Sequence, residues 1–545
     1  MQSIETIITD LLSEALKRAY DLERPIQIET PKDESHGDFS TNVAMTLAKP
    51  LKNNPRSIAQ TIVDALGSSD YVDRVEIAGP GFINFYVANA YYHRTISAVL
   101  AQGDAYGQGT LENPHSINIE YCSVNPTGAI HVGHARGAAA GDSLSRIMRK
   151  AGYSITREYY VNDAGNQIIN LARSIQARYE QLHGTHTPIP EDGYRGEEIT
   201  AIAQAIKTQH GDQFLGTDAT EFFKAHGVKK LLEGIKQDLR DFGVEFDVFY
   251  SEQSLYDNGD VDEALSWLED NGFTYEESGA TFLKTSHYGD EKDRVLIKTD
   301  GTNTYLVPDI AYHKTKLDRG FDTLIDILGS DHHGYVSRLK AAIEMFTNQS
   351  DKLEVDMLQL VRVLQDGEEV KMSKRSGRAI NLRDLIEEAG RDAVRYFFAR
   401  HSLNTHMDLD LDLAIKNSTD NPVYYAQYAH ARLVTLINKA RAQGYSVDET
   451  IDTYASITSH DGVSLMKWLS RYPSVIAEAA KKRQVHKVTN YIHSLAGALH
   501  SFYSNVPVIK ADAPRINEHL NLMHATRIVI KDALSLIGVD APERM

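Results

Sequence analysis

Two histidines, His131 and His134, stand one helical turn apart in a setting suited to phosphate chemistry. They close the stretch Asn125-Pro-Thr-Gly-Ala-Ile-His-Val-Gly-His, directly before a helical pattern at 132–150. Backbone N–H groups at a helix start attract phosphate oxygens, and two imidazole N–H donors can stabilise charge as phosphorus is attacked. Gly133 has no Cβ and lets a flat ring approach the backbone. The alternative is that both histidines only cap the helix and pack there.

The elements that must position these histidines form a strand, a tight turn and a helix. Apolar residues alternate at 117–124, and small residues open the inner face of the helix at 132–150. Such a unit is typical of a nucleotide-binding α/β domain. Further strands are predicted at 154–160, 246–252, 280–284, 295–298, 304–307, 322–328 and 357–364.

A cationic loop at 367–377 is the second chemical element. It contains Lys371-Met372-Ser373-Lys374, and two lysines beside a helix-start phosphate site suit a reaction that expels pyrophosphate. The alternative is a solvated basic loop. The predicted strand at 322–328 ends in Gly329-Ser-Asp331-His-His-Gly, and the carboxyl end of such a strand is where ligands bind in an open α/β sheet. The adjacent histidines lack a third ligand nearby, so no metal site is predicted there.

Composition narrows the class of protein. The 545 residues include one cysteine, Cys122, which excludes a disulfide framework and a cysteine-based zinc site. The segment 1–12 lacks a basic region and no apolar run could span a membrane, so a cytoplasmic protein is expected. The net charge of -18 argues against indiscriminate coating of nucleic acid, but it is compatible with gripping one folded RNA through local basic patches.

Three domains are predicted. Residues 1–110 form an α+β module, residues 111–409 form the α/β domain with an insertion at about 180–245 between its two halves, and residues 410–545 form a helical domain. In the predicted strand at 82–87, Phe82 and Asn84 share one face, where they could stack on and hydrogen-bond an unpaired base. The alternative is that Phe82 belongs to the core and Asn84 to the surface.

His131-Val-Gly-His134 and Lys371-Met-Ser-Lys374 together resemble the two signatures of class I aminoacyl-tRNA synthetases. Within that class the sequence resembles the bacterial-type arginyl-tRNA synthetases over essentially the whole chain. Three segments are each close to the pattern of that family. They are Asn125–Gly137, Ser251–Ser254 and Asn421–Arg432. Many arginyl enzymes have a degenerate lysine loop and a compensating lysine just before the histidines; here the loop is intact and that upstream position is Gly128.

The resemblance implies a Rossmann-like catalytic domain, a D-loop-binding N-terminal module and an all-α anticodon-binding domain. It assigns the arginine side chain to Glu252, Tyr305 and Asp309, and the amino-acid end to Asn125. Carboxylates in a fork suit a planar guanidinium. We expect Tyr305 and Asp309 to flank a strand end and turn at 306–308. The alternatives are a helix N-cap for Asp309 and a surface carboxylate for Glu252.

The implied reaction is two-step aminoacylation by a monomer, with ATP, magnesium, arginine and tRNA(Arg) as reactants or partners. His131 and His134 would stabilise the phosphoryl transition state, and Lys371 and Lys374 the leaving pyrophosphate. Gly133, Gly329, Asp331, Met372 and Ser373 would contact ATP, and Phe82 and Asn84 the tRNA. No protein-held metal or organic cofactor is expected.

Three other functions remain open on the sequence. A class I lysyl enzyme also needs an acidic pocket. A small-molecule nucleotidyltransferase can carry the histidine signature but is usually much shorter. A non-catalytic tRNA-binding protein would not need His131, His134, Lys371 and Lys374 intact.

Overall fold

The structure, a computed structural model, describes residues 2–31, 33–111, 113–370, 372, 380–510 and 513–545. Lys371, Ser373 and Lys374 lie outside the described residues, whereas Met372 is described and is 56% exposed. Within the described ranges, no helix combines the length and the apolar character needed to cross a membrane.

The N-terminal part is an α+β unit with a small antiparallel sheet of order β1-β3-β2, built from the elements listed next. They are α1 (Ile4–Tyr20), β1 (Phe39–Thr41), α2 (Val43–Leu51), α3 (Pro55–Asp64), β2 (Val72–Ala78), β3 (Phe82–Val87) and α4 (Asn89–Gln102). Ile83 and Phe85 are fully buried in the core. Phe82 and Asn84 both line a cavity on the other side of the strand, which confirms the predicted shared face.

A parallel five-stranded sheet forms the centre of the chain, which runs through the following elements. They are β4 (Ser116–Tyr121), α5 (Val132–Lys150), β5 (Ser154–Val161), α6 (Asn166–Leu182), α7 (Glu197–His210), α8 (Thr220–Asp241), β6 (Val248–Ser251), α9 (Glu252–Asp257), α10 (Asp260–Asp270), β7 (Thr274–Glu277), β8 (Ala280–Leu283), β9 (Arg294–Ile297), α11 (Leu306–Asp318), β10 (Thr323–Gly329), α12 (His333–Thr347) and β11 (Leu353–Leu358). The strand order is β11-β10-β4-β5-β6. The order reverses between β4 and β10, so their carboxyl ends open a crevice. The predicted α/β class is confirmed.

Helix α5 packs closely on the sheet because its inner face is made of small residues. A Cβ placed on Gly141 would lie 2.2 Å from Cγ of Tyr121 on β4. Only glycine at this position lets the Tyr121 ring lie directly against the helix backbone. The predicted bounds of α5 are confirmed at both ends.

The insertion predicted at about 180–245 does not lie between the two halves of the sheet. Strand β6 pairs in parallel with β5, so the helices between them form a crossover within the first half of the sheet. Helices α6, α7 and α8 share a separate apolar core. The segment between the two halves is instead 252–322, which holds α9, α10, a three-stranded antiparallel sheet of order β7-β8-β9, and α11.

Two predicted strands are also wrong. In the predicted strand at 304–307, the Thr304 N–H bonds to the Leu296 carbonyl, but Leu306 already begins α11. Pro308 lies in the first turn, where a missing N–H leaves no helical bond unmade. Residues 357–364 divide between β11 and the next strand at Gln359, whose carbonyl accepts a bond from the buried Arg136 guanidinium at 2.8 Å. The chain passes into another sheet after this bond.

The remaining elements form a small mixed sheet with two helices and then a helical domain. They are β12 (Val361–Gln365), β13 (Glu368–Glu369), α13 (Leu382–Ala389), α14 (Arg391–Ala399), β14 (Met407–Asp410), α15 (Leu411–Ala414), α16 (Pro422–Ala442), α17 (His460–Lys481), α18 (His486–Asn505) and α19 (Ala513–Leu536). The sheet order is β13-β12-β14. Asn421 caps α16 and Pro422 takes its first position, as the sequence favours.

Candidate active site

His131 is the N-cap of α5, and its ring faces the first turn of the helix. Nδ1 accepts N–H groups from Gly133 at 3.1 Å and from His134 at 3.4 Å. The two imidazoles stack with centroids 3.6 Å apart. Because Nδ1 of His131 accepts, the neutral ring carries its proton on Nε2, which is left as a donor. A Cβ on Gly133 would lie 3.1 Å from the His131 ring, so the ring approaching this glycine is that of His131 itself.

Both histidines are neutral at pH 7. Burial lowers the pKa of His131, and burial together with His131 lowers the pKa of His134 to about 4. The nearby Asp331 carboxylate acts in the opposite direction on both pKa values. Nδ1 of His134 is buried without a hydrogen-bond partner in the described part of the chain. Each ring therefore offers one N–H that is able to follow developing negative charge.

The chain that follows the cationic loop returns to the histidine pair. Asn381 forms a β-bridge with His131, and the Leu382 N–H bonds to the Ile130 carbonyl at 2.7 Å. On the other side of the loop, the Val370 N–H bonds to the Val363 carbonyl at 2.8 Å. The described chain that follows the predicted lysine loop is therefore fixed beside His131.

The carboxyl end of β10 borders the same crevice, since β10 pairs directly with β4. Gly329 ends the strand, and Oδ1 of Asp331 lies over it, 2.5 Å from where a Cβ would stand. The Asp331 side chain is 83% exposed, and its charge acts on both imidazoles. The structure thus brings Gly329 and Asp331 together with the histidine pair.

Two carboxyl groups, Glu252 and Asp309, interact at the starts of α9 and α11 and form what we call the acidic pocket. Glu252 is the first residue of α9, and Asp309 lies in the first turn of α11, not at a strand end or at the N-cap. Burial, the Asp309 charge and the Asp163 charge raise the pKa of Glu252 to about 7. Burial raises the pKa of Asp309 to about 6, against a hydrogen bond from the Tyr335 hydroxyl. Carboxyl groups held in this way favour a proton or a cationic ligand.

Tyr160 adds a polar atom to this pocket. Its side chain is buried, its hydroxyl lies close enough to Glu252 to lower the pKa of that carboxyl group, and the charges of Glu252 and Asp309 act on it. Tyr305, in contrast, is 90% exposed at the N-cap of α11. The expectation that Tyr305 and Asp309 flank a strand end is wrong, because the helix begins one residue after Tyr305.

The Asn125 side chain lies at the surface of the crevice. Its Nδ2 donates to Oε1 of Gln167 at 3.2 Å, in the first turn of α6. This contact ties the loop before the histidines to the turn that follows β5. The structure therefore orients the Asn125 amide from a residue that the sequence pattern did not single out.

The face formed by Phe82 and Asn84 opens on a cavity of about 350 Å³, which Glu29, His36 and Ser40 also line. Phe82 is 36% exposed, but Asn84 is only 3% exposed, and its Oδ1 accepts a bond from the Ser40 hydroxyl at 2.7 Å. Phe82 thus offers an open aromatic surface, while the Asn84 oxygen is already engaged.

One trio of the described residues, Glu120, His313 and Asp326, has the composition of a metal site. Nζ of Lys316 lies 2.6 Å from Glu120 and 3.2 Å from Asp326, and Nε2 of His313 lies 2.8 Å from Asp326. Nδ1 of His313 lies 2.8 Å from the Asp309 carbonyl, so both ring nitrogens face acceptors. The lysine and a protonated histidine supply the positive charge here, and the trio braces α11 beneath the acidic pocket.

Sequence reasoning missed several residues of the site. Tyr160 lies near the carboxyl end of β5 and Asp163 in the turn after it, and Gln167 and Tyr335 lie in the first turns of the helices that follow β5 and β10. Their position at or after the ends of predicted strands was the signal that could have found them, because the carboxyl ends of parallel strands meet at one edge.

Family models cover the chain in three parts. Residues 5–87 match "Arginyl tRNA synthetase N terminal domain", residues 95–435 match "tRNA synthetases class I (R), catalytic domain", and residues 426–545 match "DALR anticodon binding domain".

Curated relatives match over nearly their whole length. The chain is 52% identical over 525 residues to an arginine--tRNA ligase of Bacillus subtilis (strain 168), covering 95% of this chain and 94% of that protein. An arginine--tRNA ligase of Bacillus licheniformis is 51% identical with the same coverage. The structure of Thermus thermophilus arginyl-tRNA synthetase has the same fold, with a TM-score of 0.78 at 20% identity over 99% of this chain and 100% of that chain.

Proposed function

The chain belongs to the arginyl-tRNA synthetase family, and on that premise we propose how its residues divide the work of joining arginine to tRNA(Arg). In the first step the arginine carboxylate attacks the α-phosphorus of ATP and pyrophosphate leaves. In the second, the 2′-hydroxyl of the terminal adenosine of tRNA attacks the adenylate carbonyl and AMP leaves. Neither step needs a protein nucleophile, because orientation and charge stabilisation lower both barriers.

His131 and His134 stabilise the phosphoryl transition state. The N–H on Nε2 of neutral His131 and one N–H of His134 donate to phosphate oxygens as their charge grows. Gly133 and the first turn of α5 add backbone N–H groups at the positive end of the helix. The N-cap position of His131, with Nδ1 engaged by the backbone, supports this role.

The loop Lys371–Lys374 neutralises the leaving pyrophosphate, with Met372 and Ser373 beside ATP. Gly329 and Asp331 contact the adenosine. Magnesium accompanies ATP as part of the substrate. The β-bridge between Asn381 and His131 supports these assignments, because Asn381 follows the loop in the chain and lies beside the phosphate site.

Glu252 and Asp309 hold the guanidinium of arginine. The observation that carries this assignment is the pairing of two carboxyl groups, with pKa values of about 7 and about 6, beside the buried hydroxyl of Tyr160. A guanidinium would release their protons and match two carboxylates in a fork. Asn125 holds the amino-acid end, and Tyr305 contacts arginine from the rim of the pocket.

The tRNA contacts both ends of the chain. Phe82 stacks on an unpaired base of the D-loop, with Asn84 behind it, and residues 410–545 bind the anticodon arm. We place the domain boundaries near residues 110 and 410. The enzyme works as a cytoplasmic monomer. The open aromatic face of Phe82 beside a cavity supports the D-loop assignment.

Aminoacylation of total tRNA with each proteinogenic amino acid tests this assignment. Arginine alone should be attached. Asp309→Ala should raise the Michaelis constant for arginine by about 100-fold, because a buried charge pair is lost, and should leave that for ATP nearly unchanged. Equal changes for arginine and ATP would remove Asp309 from the arginine pocket, and attachment of lysine would overturn the assignment of Glu252 and Asp309 together.

A further inference from the structure

Asp163 lies in the turn between β5 and α6 and forms hydrogen bonds with the start of α9. Its Oδ2 accepts the hydroxyl of Ser251 at 2.6 Å, and its Oδ1 accepts the backbone N–H of Gln253 at 2.8 Å. These are the two residues on either side of Glu252. A carboxylate from a different element thus holds the side chain of the residue before the pocket carboxylate and the backbone of the residue after it.

The bonds of Asp163 point to a role through Glu252 and not to a direct contact with substrate. Both carboxylate oxygens already accept hydrogen bonds from the residues that flank Glu252. The Ser251 hydroxyl also accepts the Ser254 N–H at 3.4 Å, so Asp163 and Ser251 cap the helix in series. A six-residue helix gains little stability from its own length and depends on such caps.

We propose that Asp163 is a positioning residue that sets the orientation of Glu252 and thereby the recognition of the guanidinium group of arginine. This inference rests on the proposed arginine site. The same turn leads to Gln167, which bonds to Asn125, so one short segment braces both ends of the proposed substrate.

Charge gives Asp163 a second, measurable effect on Glu252. The groups that face Glu252 are Asp309 on α11, Tyr160 on β5, Tyr256 on α9 and Asp163 itself. The negative charge of Asp163 raises the pKa of Glu252, after burial and Asp309. Removing that charge while keeping the hydrogen bonds therefore lowers the pKa of Glu252, and this shift reports that the Asp163 carboxylate lies close to Glu252.

Two substitutions separate these effects in steady-state aminoacylation. Asp163→Ala removes both bonds and should raise the Michaelis constant for arginine about tenfold, the scale of a lost hydrogen bond to a charged group, with kcat and the constant for ATP nearly unchanged. The inhibition constant of agmatine, which has the guanidinium but no carboxylate, should rise by the same factor.

Asp163→Asn can still accept the Gln253 N–H and can donate to the Ser251 hydroxyl. The Michaelis constant of this variant for arginine should equal that of the unmodified enzyme at pH 8.5. The acid limb of its pH profile of kcat/KM for arginine should move to lower pH. Asp218→Ala is the control, because Asp218 bonds to the N–H and hydroxyl of Thr220 at the start of α8. It should change none of these constants.

Glu252→Gln separates failure of the inference from failure of the proposed site. If Glu252→Gln weakens arginine binding and Asp163→Ala does not, the positioning role is wrong and the site stands. If neither variant affects arginine, the proposed site itself is wrong. If Asp163→Ala raises the constants for arginine and ATP equally, or Asp163→Asn leaves the pH profile unmoved, the positioning role is likewise overturned.

Discussion

The hydroxyl of Tyr335 donates a hydrogen bond to the Asp309 carboxylate and lies 3.4 Å from the Tyr305 carbonyl. Tyr335 stands in the first turn of α12, directly after the end of β10. Helix α12 is therefore tied to the start of α11. This contact links the strand end proposed to bind adenosine with the pocket proposed to bind arginine.

Tyr335→Phe should weaken arginine binding most at low pH. The hydroxyl lowers the pKa of Asp309, so its removal raises that pKa and Asp309 takes up a proton at higher pH. We expect the acid limb of kcat/KM for arginine to move upward, with a loss of about three- to tenfold at pH 7. Tyr275→Phe, on the separate sheet of β7 and β8, is the control. An unmoved acid limb would contradict the role of Tyr335.

The unmodified enzyme should lose arginine affinity as the pH falls below about 7. Both carboxyl groups have raised pKa values, about 7 for Glu252 and about 6 for Asp309, so each is protonated at a pH where an ordinary carboxyl is charged. A guanidinium needs the charged forms. The logarithm of kcat/KM for arginine should fall with unit slope below about pH 7 and more steeply below about pH 6. A flat profile down to pH 5.5 would contradict the paired-carboxyl site.

Substitutions of the histidines should separate catalysis from capping. His131→Asn keeps a side-chain acceptor at the N-cap but removes the Nε2 donor. It should lower kcat about 100-fold with little change in melting temperature or in the Michaelis constant for arginine. His134→Gln should behave similarly.

His131→Ala supplies the comparison. It should lower kcat to the same extent and also cost about 1 kcal/mol of unfolding free energy through the lost cap. Full activity of His131→Asn would reduce His131 to a cap, which is the alternative that the sequence alone left open.

How far the sequence predicts this site depends on how local each feature is. The strand, turn and helix around His131 follow from short-range periodicity and capping, and the helix bounds are confirmed. The start of α11 does not follow, because Leu306 and Val307 are buried apolar residues before a proline and resemble a strand end. At the break, the Gln359 carbonyl accepts a bond from Arg136, which lies more than two hundred residues earlier. Such long-range contacts leave no periodic pattern.

The basic cluster near residue 483 shows the same limit. The run Lys481-Lys482-Arg483 suggests a nucleic-acid patch, yet Arg483 bonds to Glu354 and Asp356 on β11. Its charge joins the helical domain to the edge of the central sheet. Only the folded chain brings these acidic partners to the arginine.

Phe82→Ala should weaken tRNA binding about five- to 30-fold, the scale of a lost base–aromatic stack. The Michaelis constants for arginine and ATP should stay unchanged, because Phe82 is partly exposed at a cavity that no proposed catalytic or arginine-binding residue lines. Gel-shift or fluorescence titration with tRNA(Arg) measures the effect. If the affinity for tRNA is unchanged, Phe82 does not contact tRNA. If the melting temperature falls as much as after a core truncation, Phe82 acts mainly in packing.

Gly141→Ala should destabilise the catalytic domain by about 1–3 kcal/mol, since the new methyl group would meet the Tyr121 ring at 2.2 Å and the buried helix has no room to move. Gly234→Ala is the matched control. It places the same methyl on α8, where nothing lies within 4 Å, and should stabilise the fold by up to about 1 kcal/mol because alanine favours a helix. Thermal or chemical unfolding measures both. Equal effects of the two substitutions would mean that Tyr121 does not pack on the helix backbone as the structure has it.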